Sequence, residues 1–232
     1  VVTDELRDLA RISGIPELPR ISIFHALNSR AVSRSYAARI GRKYEELNLI
    51  VAHLGGGISV SAHHYGKVVD VNNALNGEGP FSPERAGTLP ARQLVDMCFS
   101  GKYTYAEIRK MINGRGGLVA HLGTTDVQSI IRWAHAGAEK HKLVLDAMLY
   151  TVAKQVGAMH VSLHGQTDAV ILTGGIAFND YCIRGLREWL EGLAPIVVIP
   201  GEDEMGALAM NALGVLRGEL TLQEYAPEED AG

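Results

Sequence analysis

Apolar positions along the chain follow two spacings. Residues 47–53, L-N-L-I-V-A-H, form a nearly unbroken apolar run of the buried-strand type. Ile58, Val60 and Ala62 then alternate with serines, as in a half-buried strand. Tyr65-Gly66-Lys67 reads as a turn, and Val69 and Val71 carry the alternation into a third strand. Three hairpin-linked antiparallel strands are therefore predicted. Elsewhere the spacing becomes three and four. Val32, Tyr36 and Ile40 share one face of a helix over 29–40 that Gly41 ends. Leu145, Met148, Val152, Val156 and Met159 form the core stripe of one long helix over about 137–163. A strand at 168–172, a helix at 180–190 and a strand at 196–199 follow. The last helix starts near Glu204, with Met205, Leu208, Ala209, Ala212, Leu213 and Leu216 as its stripe, and Gly218 ends it. Shorter helices are predicted at 5–12, 91–100, 105–112 and 126–135, with an extended piece at 21–24. The order β-β-β-α-β-α-β, with a helical piece inserted at about 90–136, describes a mixed α/β domain.

Residues 72–90, N-N-A-L-N-G-E-G-P-F-S-P-E-R-A-G-T-L-P, fit neither spacing. Loops this long inside compact domains usually carry function, and this one is read so. Composition adds mainly exclusions. A net charge of -4 gives no general attraction to nucleic acid or to an anionic membrane. No apolar run approaches the ~18 residues of a membrane span, and no leader pattern opens the chain, so a cytoplasmic protein is expected. Cys98 and Cys182 follow no metal spacing and read as two buried free thiols. Glycine is the exception: its 26 residues cluster in short groups, and there the candidate chemistry begins.

Gly55-Gly56-Gly57 joins the first two predicted strands. Glycines there let backbone N–H groups approach an anion and adopt positive φ, but a tight hairpin would also accept them. Thr173-Gly174-Gly175 follows a strand and precedes a helix, where open α/β folds bind ligands; a close strand-to-helix turn is the plainer reading. Arg85, in P-E-R-A-G, has a planar fork suited to phosphate or carboxylate, or is a surface cation. His25 and His53 each precede a turn. Either is a buried histidine bonded to a carbonyl, or a ring that holds a transferring phosphoryl group. His63-His64 reads as a solvated strand end. Glu202, Asp203 and Glu204 complement a helix N-terminus or hold Mg²⁺.

Taken together, these strings resemble the acetate kinase family of the actin, hexokinase and Hsp70 superfamily, and within it the butyrate and branched-chain carboxylate kinases. The strings are F-H-A-L-N at 24–28, V-A-H-L-G-G-G-I-S-V at 51–60 and D-V-N-N-A-L-N-G-E-G-P-F-S-P-E-R-A-G at 70–87. F-S-G-K-Y-T at 99–104, G-G-L-V-A-H-L-G-T-T-D at 116–126, I-L-T-G-G-I-A at 171–177 and P-G-E-D-E-M at 200–205 complete them. H-L-G-G-G, where acetate kinases have H-L-G-N-G, favours the butyrate side. The resemblance implies an actin-like (ribonuclease H-like) α/β domain: residues 1–45 would end a first domain, and 46–232 would be the nucleotide-binding domain. It implies ATP or ADP with Mg²⁺, a short-chain carboxylate or acyl phosphate as substrate, and a homodimer. His25 would lie beside the acyl phosphate. His53 and Gly55, Gly56 and Gly57 would hold the terminal phosphates, and Arg85 would stabilise the transferring phosphoryl. Gly174, Gly175 and Ile176 would form the adenosine turn, Asp126 would lie near ribose and base, and Glu204 would associate with magnesium.

Members of this family begin with a further domain that carries a phosphate loop, a second arginine and a catalytic aspartate. Its counterpart is expected in cis or on a separate chain, and these 232 residues alone are expected to show little or no kinase activity. Two other readings remain at this point: a sugar kinase of the same fold, against which F-H-A-L-N and S-P-E-R-A-G argue, and a non-catalytic nucleotide-binding module.

Overall fold

The structure, a computed structural model, describes residues 7–202 and 204–218. Five strands form one mixed sheet: β1 (Asn48–Leu54), β2 (Ile58–His64), β3 (Lys67–Val71), β4 (Ala169–Gly174) and β5 (Ile196–Pro200). Their order is β3-β2-β1-β4-β5. The predicted hairpins are antiparallel, and Leu54 lies opposite Ile58 across the Gly55–Gly57 turn. β4 lies parallel to β1, with His53 beside Thr173, and β5 lies parallel to β4, with Gly174 beside Pro200. The C-terminal ends of β1, β4 and β5 therefore converge at one edge, the usual ligand edge of an open α/β sheet.

Nine helices accompany the sheet among the described residues: α1 (Arg7–Arg11), α2 (Ala26–Arg39), α3 (Ala91–Cys98), α4 (Tyr105–Ile112), α5 (Leu118–Leu122), α6 (Val127–His135), α7 (Glu139–Ser162), α8 (Asp180–Leu190) and α9 (Glu204–Leu216). The chain divides into two compact units, one ending at Glu202 and one beginning at Asp203 and containing α9. In the first unit the main core lies between the sheet and α7. Ile50, Ala52, Leu54, Val60, Val170 and Leu172 meet the predicted stripe of α7 there, all fully buried or nearly so. The opposite face is covered by α2, where Val32 and Ala37 pack on Leu49, Val51, Ala169 and Ile171. Coverage on both sides explains why every residue of β1 is buried and its sequence nearly unbroken in apolar character.

Several expectations change. The serines of β2 do not face solvent: Ser59 and Ser61, with His63, point at α2 and are buried. His63, expected at a solvated strand end, is a hub. Tyr44 Oη lies 2.6 Å from its Nδ1, and the Ser29 and Ser61 hydroxyls each lie 2.8 Å from its Nε2. Burial pushes its pKa down to about 3, with Arg30 adding to the effect. Residues 21–24 form no strand; the Ile23 carbonyl instead accepts from the Ala74 amide at 2.8 Å. Cys182 is buried as expected, but Cys98 is exposed at the end of α3. Leu208, Leu213 and Leu216 of the α9 stripe are exposed. Met205's side chain lies outside the described residues.

Candidate functional site

The sheet edge draws three parts of the chain together. His53, one residue before the end of β1, is 2% exposed. His25 sits at the N-cap of α2, and its ring stacks on His53 with centroids 3.7 Å apart and planes 12° from parallel. His25 Nδ1 lies 3.0 Å from Ser59 Oγ. His53 Nδ1 lies 2.9 Å from Asn28 Nδ2 and its Nε2 lies 3.4 Å from Glu202 Oε2. Burial, and then the neighbouring His25, lower the His53 pKa to about 3. The ring is therefore neutral at physiological pH, and its 3.4 Å approach to Glu202 is not an ion pair.

The glycine turn is explained by space rather than by φ. None of Gly55, Gly56 and Gly57 has positive φ. A Cβ on Gly57 would stand 1.8 Å from Arg85 Nη1, because the guanidinium lies directly on this residue. A Cβ on Gly55 would stand 3.2 Å from His53 Nε2. The two ends of the turn thus lie against different side chains, Gly55 against His53 and Gly57 against Arg85. Arg85 is further held by a 2.8 Å bond from Nη1 to the Ala74 carbonyl, while its buried Nε has no hydrogen-bond partner. Its loop is tied to the turn by Ser82, whose hydroxyl donates to the Gly56 carbonyl at 2.6 Å. Gly116 and Gly117 clasp the loop from behind: a Cβ on Gly117 would stand 1.7 Å from the Ser82 carbonyl.

Gly174 has φ +88°, and a Cβ there would stand 2.5 Å from the Leu54 carbonyl. It lets the ends of β4 and β1 approach. Gly175 has open space around its Cα and begins a short 3-10 turn, Gly175–Phe178, that the sequence pattern did not predict. Beside it lies a cleft of about 440 Å³, within the range of small-molecule sites. Gly55, Gly56, Gly175, Ile176, Asp126 and Glu202 all line it, with apolar Val127 and Phe178 at one side. Asp126 also caps α6, accepting from the amides of Gln128 at 3.0 Å and Ser129 at 3.3 Å. The Ser129 hydroxyl, and then those amide bonds, hold its carboxyl below the usual range. His25, His53, Arg85, Gly57 and Gly174 do not line this cleft; they stand behind and beside its glycine wall. The carboxylate assigned to magnesium, Glu204, has its side chain outside the described residues. Glu202 is the member of that run found in the cleft.

Sequence reasoning missed Asn28 and Thr173 as parts of the site. Asn28 was visible as the residue one helical turn after His25. Thr173 was visible only as the flank of two glycines.

This edge, with its converging parallel strands and antiparallel hairpin, belongs to the fold of the actin-like ATPases. The acetate kinase of Porphyromonas gingivalis superposes with a TM-score of 0.80 at 22% identity, over 91% of this chain and 61% of that one. A propionate kinase from Francisella tularensis gives 0.77 at 23%, over 88% and 60%. The model of the acetokinase family matches residues 20–197, and the chain belongs to that family. Among its relatives, a probable butyrate kinase of Phocaeicola vulgatus is 70% identical over 98% of this chain. Butyrate kinase 1 of Clostridium acetobutylicum is 51% identical over 97% of it. The chain spans 64% and 63% of the length of these two relatives. No described helix is long and apolar enough to cross a membrane.

Proposed function

We propose that the full-length protein is a carboxylate kinase of butyrate type, interconverting ATP and a short-chain carboxylate with ADP and an acyl phosphate. One observation carries this reading: a nucleotide-sized cleft whose glycine wall is backed by two stacked histidines and an arginine laid on Gly57. A carboxylate oxygen attacks the γ-phosphorus as the bond to the β-phosphate oxygen breaks, so two anions must approach in line. Such a step asks the protein for positioning and charge neutralisation, with no covalent participation. Gly55 and Gly56 offer backbone, His53 and His25 offer ring nitrogens, and Arg85 offers a cation with an unsatisfied Nε. Gly175, Ile176 and the apolar Val127 and Phe178 suit the nucleoside, with Asp126 near its ribose. Gly174 shapes this turn by letting β4 close on β1. Mg²⁺ accompanies the phosphates, with Glu204 as its carboxylate. A cytoplasmic homodimer is the assembly we expect.

Calorimetry with ATP or ADP, combined with trapping of acyl phosphate from butyrate, tests this. Binding and turnover by the full-length protein are expected. Binding without turnover would favour a nucleotide-binding module, and turnover of sugars in place of carboxylates would favour a sugar kinase.

A further inference from the structure

A neutral histidine carries one proton on one of two ring nitrogens, and for His53 the two forms present opposite chemistry to the site. The hydrogen bonds behind the ring choose between them. The Gly201 carbonyl can only accept, so the Thr173 hydroxyl, 3.0 Å away, donates its single proton there. Thr173 Oγ1 is then left to accept, and Asn28 Nδ2 lies 3.3 Å from it. That contact orients the Asn28 amide with nitrogen inward. The same Nδ2 is 2.9 Å from His53 Nδ1. An amide NH₂ only donates, so Nδ1 accepts and the ring proton resides on Nε2. The other side of the ring is compatible with this assignment. Nε2 faces a Glu202 carboxylate oxygen at 3.4 Å, which when ionised can only accept.

We infer that Asn28, oriented by Thr173, is a positioning residue that locks His53 in its Nε2–H form, so that the ring offers the site a hydrogen-bond donor and not a base. The nature of the group that meets this donor, a phosphoryl oxygen, rests on the carboxylate kinase reading; the lock itself does not. A lone pair in that place would oppose an oxyanion, whereas a fixed donor attracts one without reorganising. In the structure the Glu202 carboxyl lies 3.4 Å from this nitrogen, and an arriving phosphate oxygen would compete with it for the donor. The positioning extends to the neighbouring ring, because Asn28 and His25 belong to the same helix turn and Ser59 holds His25 against the stack.

The test uses the full-length protein with histidine-selective ¹⁵N labelling and long-range ¹H–¹⁵N correlation at neutral pH without nucleotide. In the wild type, the Nδ1 of His53 should resonate as an unprotonated nitrogen and Nε2 as a protonated one. Asn28→Asp puts an acceptor behind the ring and should move a proton onto Nδ1. Asn28→Ala should leave the two nitrogens averaged. Its kcat for acyl phosphate formation should fall roughly ten- to a hundredfold, with KM for ATP within about threefold, because a donor aimed at developing charge is weakened and ground-state binding is spared. A wild-type ring protonated on Nδ1 overturns the lock, as do unchanged nitrogens in Asn28→Asp. An unchanged kcat in Asn28→Ala overturns the positioning role. If the aspartate variant does not fold, the wild-type spectrum still decides, and Thr173→Val should partly average the nitrogens. Absence of acyl phosphate formation by the wild type would refute the kinase reading alone, since the nitrogen shifts are read without substrate.

Discussion

Gly57→Ala separates the role of space at the glycine turn from that of stability. The added Cβ would stand 1.8 Å from Arg85 Nη1 and 2.4 Å from Cζ, whereas ordinary contact begins near 3.4 Å. The guanidinium must therefore retreat by about 1.6 Å. It can do so, because the atoms in the way are the far end of a flexible side chain and Gly57 has no positive φ to strain. The retreat breaks the bond to the Ala74 carbonyl, which costs roughly 1.5–3 kcal/mol for a charged donor, less what water returns to a partly exposed arginine. Replacing glycine recovers roughly 0.4–1 kcal/mol through the unfolded state. The net loss of stability is therefore small, about 1 kcal/mol. Catalysis should suffer more, since a misplacement of ~1 Å at a reacting centre costs on the order of 10²-fold in rate. The assay is a double-mutant cycle in the full-length protein: kcat for acyl phosphate formation in Gly57→Ala, Arg85→Ala and the pair, with urea denaturation alongside. If Gly57→Ala acts through Arg85, the double variant is no slower than Arg85→Ala. A kcat for Gly57→Ala within about threefold of wild type refutes the reasoning. So do independent, additive effects of the two substitutions.

Gly174→Ala should behave in the opposite way. Its φ of +88° and its 2.5 Å approach to the Leu54 carbonyl involve backbone that cannot yield, so stability should fall by roughly 3 kcal/mol or more in urea denaturation; a loss under about 1 kcal/mol would contradict the packing role. Under the proposed function the Arg85 cation acts on charge that develops during transfer, so Arg85→Ala in the full-length protein should lower kcat far more than it raises KM for ATP; steady-state kinetics with an unchanged kcat would contradict this. Acid should weaken the fold through His53 and His63, whose folded pKa values near 3 lie below the ordinary 6.5. Below pH 6.5 the unfolded chain gains protons that the native rings refuse, so this stability is complete above pH 6.5 and declines towards pH 3. The slope is at most about 1.4 kcal/mol per pH unit for each ring, and a urea midpoint unchanged between pH 6.5 and 5 would show that the rings are not held neutral.

The hydrophobic spacing was sufficient to locate every strand and the longer helices, since periods of two and of three to four are local properties. α4 and α8 begin and end where the residue pattern predicted. The short 3-10 turn at Gly175–Phe178 and the five-residue helix α5 escaped, because neither is long enough to show a period. The glycine strings, His25, His53 and Arg85 also stood out in the sequence, as unusual residues at element ends. Their relations did not. That Gly57 is needed for the Arg85 guanidinium, Gly117 for the Ser82 carbonyl and Gly174 for Leu54 depends on segments separated in the chain by 25 residues or more. Ser59, Ser61 and His63 looked like the wet side of a strand because alternation reports only a change of polarity, not what covers the polar face. Helix α2 covers it, and hydrogen bonds make that burial tolerable. Asn28 likewise fell just before the predicted helix and drew no reading of its own. Its importance arises only where β1 and β4 run side by side, placing His53 and Thr173 together and leaving one amide between them to decide which nitrogen of the histidine carries the proton.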